Sequence, residues 1–97
     1  MKIVKIAFEY KTFPVWIYDE EGNLVANDLP DYLIGNEEID PLFVKLQQDY
    51  DSLYSDTENE FKYVGFTDSM TEKAFYNKVE YAKQILKKLL SLEYSLC

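Results

Sequence analysis

Apolar and polar positions alternate along this chain with two periods, and each period marks its own kind of element. Over residues 3–10, Val4, Ile6, Phe8 and Tyr10 alternate with Ile3, Lys5, Ala7 and Glu9, the period-2 pattern of a half-buried strand with the even positions inward. Lys11 and Thr12 lead into a second strand, Phe13-Pro14-Val15-Trp16-Ile17-Tyr18-Asp19, around which the chain is expected to be organised. Val15 and Ile17 point to one side of it, and Trp16 and Tyr18 to the other. Both faces therefore carry bulky apolar surface, which predicts a strand inside a sheet. Trp16, the only tryptophan, suits a place where a core meets a polar rim, because its large ring carries one N–H donor. Pro14 falls at the strand start, where its missing N–H does least harm, and the first two strands are expected to pair antiparallel.

Asp19-Glu20-Glu21-Gly22-Asn23 reads as a turn with Gly22 available for positive φ, and Leu24-Val25-Ala26 returns as a short third strand. Pro30 keeps Leu29 out of the helical region, so the chain leaves the sheet there. A helical period follows, with Ile39, Leu42, Phe43, Leu46, Tyr50, Leu53 and Tyr54 on one stripe. This first helix starts between Asn36 and Pro41, with Asp40 as N-cap and Pro41 at the first helical position, and it fades near Ser55. Glu60-Phe61-Lys62-Tyr63-Val64-Gly65-Phe66, rich in aromatic and β-branched residues, predicts a fourth strand. Ser69-Met70-Thr71-Glu72 matches a capping box and opens a long second helix with Phe75, Val79, Ala82, Leu86 and Leu89 on its buried stripe. Lys83, Lys87 and Lys88 suit its C-terminal end. The order βββαβα predicts an α+β fold, an antiparallel sheet of about four strands with two helices packed on one face. Ninety-seven residues make a single domain, 1–97, that buries about 65% of its unfolded surface.

Composition narrows the chemistry. Apolar residues at 47% and aromatics at 16% place the chain among globular proteins. All ten basic residues are lysine, and without histidine the commonest general base near neutral pH is missing. Ser52, Ser55, Ser69, Ser91 and Ser95 have no activating partner in the sequence, and no Ser-x-x-Lys occurs. Asp49-x-Asp51 with Glu60 outlines a calcium loop, but Leu53 and Tyr54 sit where an oxygen ligand and a glycine are needed. Paired carboxylates need a cleft that a domain of this size hardly offers. No catalytic residue, metal ligand or cofactor is assigned, and no enzyme is expected. Cys97 is alone and expected to fray at the terminus. The N-terminal apolar run is broken by Lys2 and Lys5, and no stretch approaches the roughly 20 residues of a membrane span. A cytoplasmic protein is the expectation.

Charge then changes the picture from an ordinary small domain to one with a polarised sequence. Residues 19–60 hold thirteen acids against Lys45 alone, while the flanking segments are each mildly basic, within a net charge of -8. Nucleic-acid binding is disfavoured by that sign. The lysines at 73, 78, 83, 87 and 88 are interrupted by Glu72 and Glu80 and read as a solvated helix face. The acidic block keeps a small domain soluble, and it also suits a basic macromolecular partner, since opposed potentials speed encounter and fix orientation. Asp19, Glu20, Glu21, Asp28, Asp31, Glu37 and Glu38 are the candidate partner-binding acids, with Tyr32 beside them as a candidate aromatic contact. The alternative is a structural or regulatory module that self-associates through an exposed sheet edge, with Val44 on the outer helix face joining in. A monomer or weak homodimer fits both.

The strings Phe13-Pro14-Val15-Trp16-Ile17-Tyr18-Asp19, Gly22 and Asn27-Asp28-Leu29-Pro30 resemble small acidic bacterial proteins that serve as immunity partners of polymorphic or contact-dependent toxins. The resemblance continues through Asp49-Tyr50-Asp51-Ser52-Leu53-Tyr54 and Phe61-Lys62-Tyr63-Val64-Gly65-Phe66. It implies a cytosolic protein that binds one toxin, often a nuclease, and blocks it by occluding its active site. It assigns no particular residue a role, and residues 91–97 have no counterpart in it.

Overall fold

The computed structural model describes all 97 residues. Along the chain it contains β1 (Lys2–Ile6), β2 (Val15–Tyr18), β3 (Leu24–Ala26), a 3-10 turn (Asp31–Leu33), α1 (Asp40–Asp51), β4 (Tyr54–Thr57), β5 (Glu60–Tyr63), α2 (Ser69–Leu89) and β6 (Tyr94–Leu96). The class is α+β, with a four-stranded sheet in the order β3-β2-β1-β6, a separate two-stranded hairpin β4-β5, and two helices. The main sheet is mixed: β1-β2 and β2-β3 are antiparallel, and β6 lies parallel to β1.

Register sorts the side chains. Val4 pairs with Ile17 and Ile6 with Val15, and Val4, Val15 and Ile17 are all buried against the helices. Phe43 and Leu46 of α1 and Phe75, Val79, Ala82, Ile85 and Leu86 of α2 complete that core together with Leu29, Leu33 and Ile39. Both helices therefore cover one face of the sheet. Ile3 pairs with Tyr18 and Lys5 with Trp16 on the opposite face. β2 lies inside the sheet, but its Trp16 side is not packed into the core.

Several boundaries differ from expectation for local reasons. The first strand stops pairing at Ile6, with Ala7 N–H still bonded to Pro14 O at 3.0 Å. Phe8 then stacks on Tyr50 with centroids 5.3 Å apart, and Tyr10 packs against Tyr54 and Phe61 at 4.9 Å. Lys11 takes positive φ, 52°, and its N–H donates to Asp51 Oδ1 at 2.7 Å, which holds the loop on the end of α1. Asp40 is not the cap of α1. Asn36 Oδ1 accepts the N–H groups of Glu38 and Ile39 at 2.9 and 3.0 Å, and its carbonyl accepts from Asp40, so the chain is turned into the helix four residues earlier. Asp40 Oδ2 accepts from Gly35 N–H instead, at 2.7 Å. At α2 the cap is Asp68 rather than Ser69, with Asp68 Oδ1 accepting from Thr71 N–H at 2.7 Å.

The segment after α1 departs further. The helix ends at Asp51, and Tyr54, which continues the apolar stripe in sequence, belongs to β4. Tyr54 lies opposite Tyr63 and stacks on Phe61, with centroids 5.4 Å apart and planes within 4°. Leu53 O accepts both Val64 and Gly65 N–H at 2.7 and 3.0 Å, closing the base of the hairpin. Phe61 and Tyr63 thus serve the hairpin, and residues 60–66 do not supply the fourth strand of the main sheet. That place is taken by β6, from the segment with no assigned role. Cys97 does not fray: its N–H donates to Val4 O at 2.8 Å, although its thiol is free and exposed.

The molecule is elongated, with extents of 44 × 27 × 22 Å and a radius of gyration of 14.7 Å against roughly 13 Å for a compact chain of this length. Phe43, the largest fully buried side chain, sits under both layers and touches Phe13 with centroids 6.3 Å apart. Phe43→Ala should cost about 3–5 kcal/mol of unfolding free energy in urea titration, because its space cannot be refilled by short-range collapse. A loss below about 1 kcal/mol would mean the core is far looser than its packing implies.

Candidate interaction surface

The expected partner-binding acids start in the β2–β3 turn. Gly22 adopts φ 88°, and Asp19 ties the turn together: Oδ1 accepts the N–H groups of Glu21 and Asn23, both at 2.9 Å, while Asp19 N–H bonds Asn23 O at 2.9 Å. The hydrogen bond from the Asn23 backbone is the main cause that lowers the Asp19 pKa. Asp19 is therefore committed to shaping the turn. Glu20 pairs with the Met1 ammonium, which leaves Glu21 as the carboxylate of this turn without an internal partner. Met1, Lys2, Asp19, Glu20 and Glu21 surround an open depression of about 370 Å³.

Tyr32 has a structural task. Its hydroxyl accepts Ser91 N–H at 2.7 Å, and its ring lies 6.1 Å from that of Tyr94. Because Tyr94 pairs with Lys2 and Asp19 follows Tyr18, the partner of Ile3, the 3-10 turn carrying Asp31 sits at the same end of the sheet as the acidic β2–β3 turn. Asn36 N–H bonds Leu33 O at 3.0 Å, so Glu37 and Glu38 follow directly from that turn, and both are exposed. The opposite end of α1 meets the β1–β2 loop, where buried Gln47 donates to Glu9 O and Asp51 Oδ1, each at 2.8 Å. Asp28 is separated from this group. Its Oδ1 accepts from Leu29 N–H at 2.8 Å, and the preceding Asn27 is bonded to Phe13 O and Val15 O at the far end of β2. Of the remaining acids of the block, Asp40 sits at the start of α1. The others lie at the end of α1 and in the hairpin, where Lys45–Asp49, Lys11–Asp56 and Lys62–Glu60 form ion pairs at 2.8, 3.8 and 3.1 Å and Glu58 has no lysine partner. One continuous acidic stretch in sequence is thus divided between two ends of the molecule.

That division also disperses the calcium-loop frame, since Asp49, Asp51 and Glu60 each have separate partners, and no three His, Cys, Asp or Glu side chains are grouped to hold a metal. A depression of about 540 Å³ beside the start of α1, lined by Glu37, Asp40, Pro41, Val44, Lys45 and Gln48, is open to solvent. No helix is long and apolar enough to cross a membrane.

The feature the sequence reading misplaced is the second face of the main sheet. Ile3, Trp16 and Tyr18 are half-buried and Leu24, opposite Tyr18, is 54% exposed, yet none of the four packs on the core. Trp16 Nε1 donates to Ala7 O at 3.0 Å, so its polar atom is satisfied within the sheet and the ring that remains is apolar. Lys5 Nζ lies 5.4 Å from the Tyr18 ring centre. The available signal was the number of elements: two helices and four short strands are too few to cover both faces. No protein-family model matches this chain, and no curated protein matches it either.

Two titrations check these assignments. Asp19, with its pKa lowered, stabilises the fold above the unfolded value of 3.8, and that contribution is lost as pH falls through the lower folded value. Carboxyl NMR should place its midpoint below the unfolded value of 3.8, and Asp19→Ala should speed amide exchange at Glu21 and Asn23. Tyr50 hydrogen-bonds Tyr54 at 2.9 Å, which, followed by burial, pushes its pKa up to about 12. Its contribution to stability is present below pH 10 and lost as pH rises toward 12, and Tyr54→Phe should lower the Tyr50 midpoint in phenolate absorbance.

Proposed function

We propose that this protein works by contact, as a non-catalytic inhibitor that binds a basic protein, and that the partner is a bacterial toxin domain whose active site it covers. The observation that carries this reading is the group of exposed carboxylates at one end of the sheet. Glu21, Asp31, Glu37 and Glu38 have no cationic partner within the molecule, whereas Asp49, Asp56 and Glu60 at the other end are each paired with a lysine. Unpaired surface carboxylates on a chain of net charge -8 attract a cationic partner and orient it, and they have little effect on the stability of the fold itself. The likeness of the β2 region and of residues 49–54 and 61–66 to immunity proteins supports a toxin as that partner. The interface expected of such a pair buries about 1,600 Å² in total.

The adjacent gene product is the natural test partner, because an immunity protein is expected to be encoded beside its toxin. Co-expression should abolish growth arrest caused by that protein. The association rate should fall steeply between 0.1 and 1 M salt, over which the Debye length shrinks from about 10 to about 3 Å. Replacing Glu21, Asp31, Glu37 and Glu38 with their amides should slow association about ten-fold or more with the melting temperature unchanged. A rate that ignores both salt and these substitutions removes the acidic end from the account.

A further inference from the structure

We infer that the helix-free face of the main sheet, centred on Trp16, is the apolar centre of the partner interface, and that it takes a protein surface whose own apolar centre is edged by lysine or arginine. The inference rests on the contact function proposed above and adds where the partner sits. Three observations lead to it.

The first is composition. Trp16 and Tyr18 stand two residues apart on the same face of β2, Tyr18 between Ile3 and Leu24 on the neighbouring strands and Trp16 opposite Lys5. They form an apolar surface edged by one lysine on a face from which both helices are absent. Tryptophan and tyrosine are the residue types that most often dominate binding energy, because each buries a large rigid ring at small entropic cost. With Trp16 Nε1 already bonded to Ala7 O, covering the ring leaves no donor unsatisfied.

The second is area. Four strands about 4.8 Å apart and about four residues long at 3.3 Å each present a face on the order of 250 Å² in projection. Even doubled for surface relief, this falls short of the about 800 Å² per partner that a stable interface needs. The occupant must extend past the sheet. In the direction of β2 the chain leads from Tyr18 straight into Asp19-Glu20-Glu21, so an occupant that covers Trp16 and spreads along β2 meets carboxylates.

The third is charge. A second copy of this chain would bring its own net charge of -8 against that turn, whereas a cationic protein gains from it. Lys5, opposite Trp16 and beside Tyr18, adds one positive charge within the face, which disfavours cations at the partner's centre. It confines them to the side facing Glu21, the carboxylate of the turn that the Met1–Glu20 pair leaves free.

The test uses the full chain and the protein encoded by the adjacent gene, with Trp16 emission as an internal reporter because it is the sole tryptophan. Mixing should shift that emission to the blue. Trp16→Ser combined with Tyr18→Ser should weaken affinity at least about 30-fold, chiefly through faster dissociation. Phe61→Ser on the hairpin, at a more exposed aromatic away from this face, should leave affinity unchanged. If the double variant fails to fold, Leu24→Arg at an already exposed position of the same face serves in its place, and the added cation should also abolish binding. Full affinity in the variants that fold overturns the placement while leaving the contact function standing. No binding by the wild-type chain overturns the proposed function, and this inference with it. Sedimentation of the wild-type chain as a dimer that Trp16→Ser dissolves also overturns it, by assigning the face to a second copy.

Discussion

Two helices can shield one side of a small sheet from water and not both, and the architecture of this protein follows from that limit. Val4, Val15 and Ile17 on the shielded side share one core cluster with Phe43, Val79, Ala82 and Leu86, all buried, and this layer removes apolar area from water. Each strand of the sheet has only three to five residues, so none is stable by itself and all depend on that layer. The same geometry leaves Ile3, Trp16, Tyr18 and Leu24 without a covering element. A stable core and an uncovered aromatic face are two consequences of one packing arrangement.

The edges of the structure are managed by short elements with specific bonds. β6 covers the edge of β1 through three residue pairs, and Tyr32 secures its approach by accepting Ser91 N–H. The outer edge on the other side is β3, three residues long and irregular at Ile17/Tyr18, which limits pairing with another chain. The hairpin β4-β5 has no sheet to lean on and is instead held by rings, with Tyr10 packed on Tyr54 and Phe61 and its hydroxyl reaching Asp56 Oδ2 at 3.3 Å. Much of the tyrosine and phenylalanine content is thereby accounted for by this end of the molecule rather than by the central core.

What could be read from the chain depended on how local its cause was. The long helix is legible because Phe75, Val79, Ala82 and Leu86 repeat over about three turns, and the β1-β2 pair because the alternation is clean on both sides of the loop. The caps were displaced to other residues, Asp68 for Ser69 and Asn36 for Asp40, since each neighbourhood holds more than one side chain able to accept the free N–H groups. Tyr54 leaves the helical stripe for β4 because the helical period and the cross-strand contacts with Phe61 and Tyr63 compete for the same ring, and only tertiary packing decides. Tyr94-Ser95-Leu96 is too short to show any period. Within the candidate surface, the acids were visible as residues but their tasks were not. That Asp19 is consumed by its own turn, and that Tyr32 holds a segment near the other end of the chain, depends on contacts no spacing rule reveals.

The acidic charge and the open aromatic face also bear on each other. An uncovered patch holding tryptophan, tyrosine, leucine and isoleucine favours self-association, and a large net charge of one sign opposes it by mutual repulsion between copies. Solubility alone would be served by carboxylates anywhere on the surface. Here lysines pair with Asp49, Asp56 and Glu60 toward the hairpin end, where Glu58 stays unpaired, while Glu21, Asp31, Glu37 and Glu38 all remain unpaired at the end of the sheet into which β2 runs. Charge left unpaired at the end of the sheet toward which the apolar face runs repels a second copy and attracts a cationic surface, so one arrangement of carboxylates disfavours the wrong occupant and favours the right one.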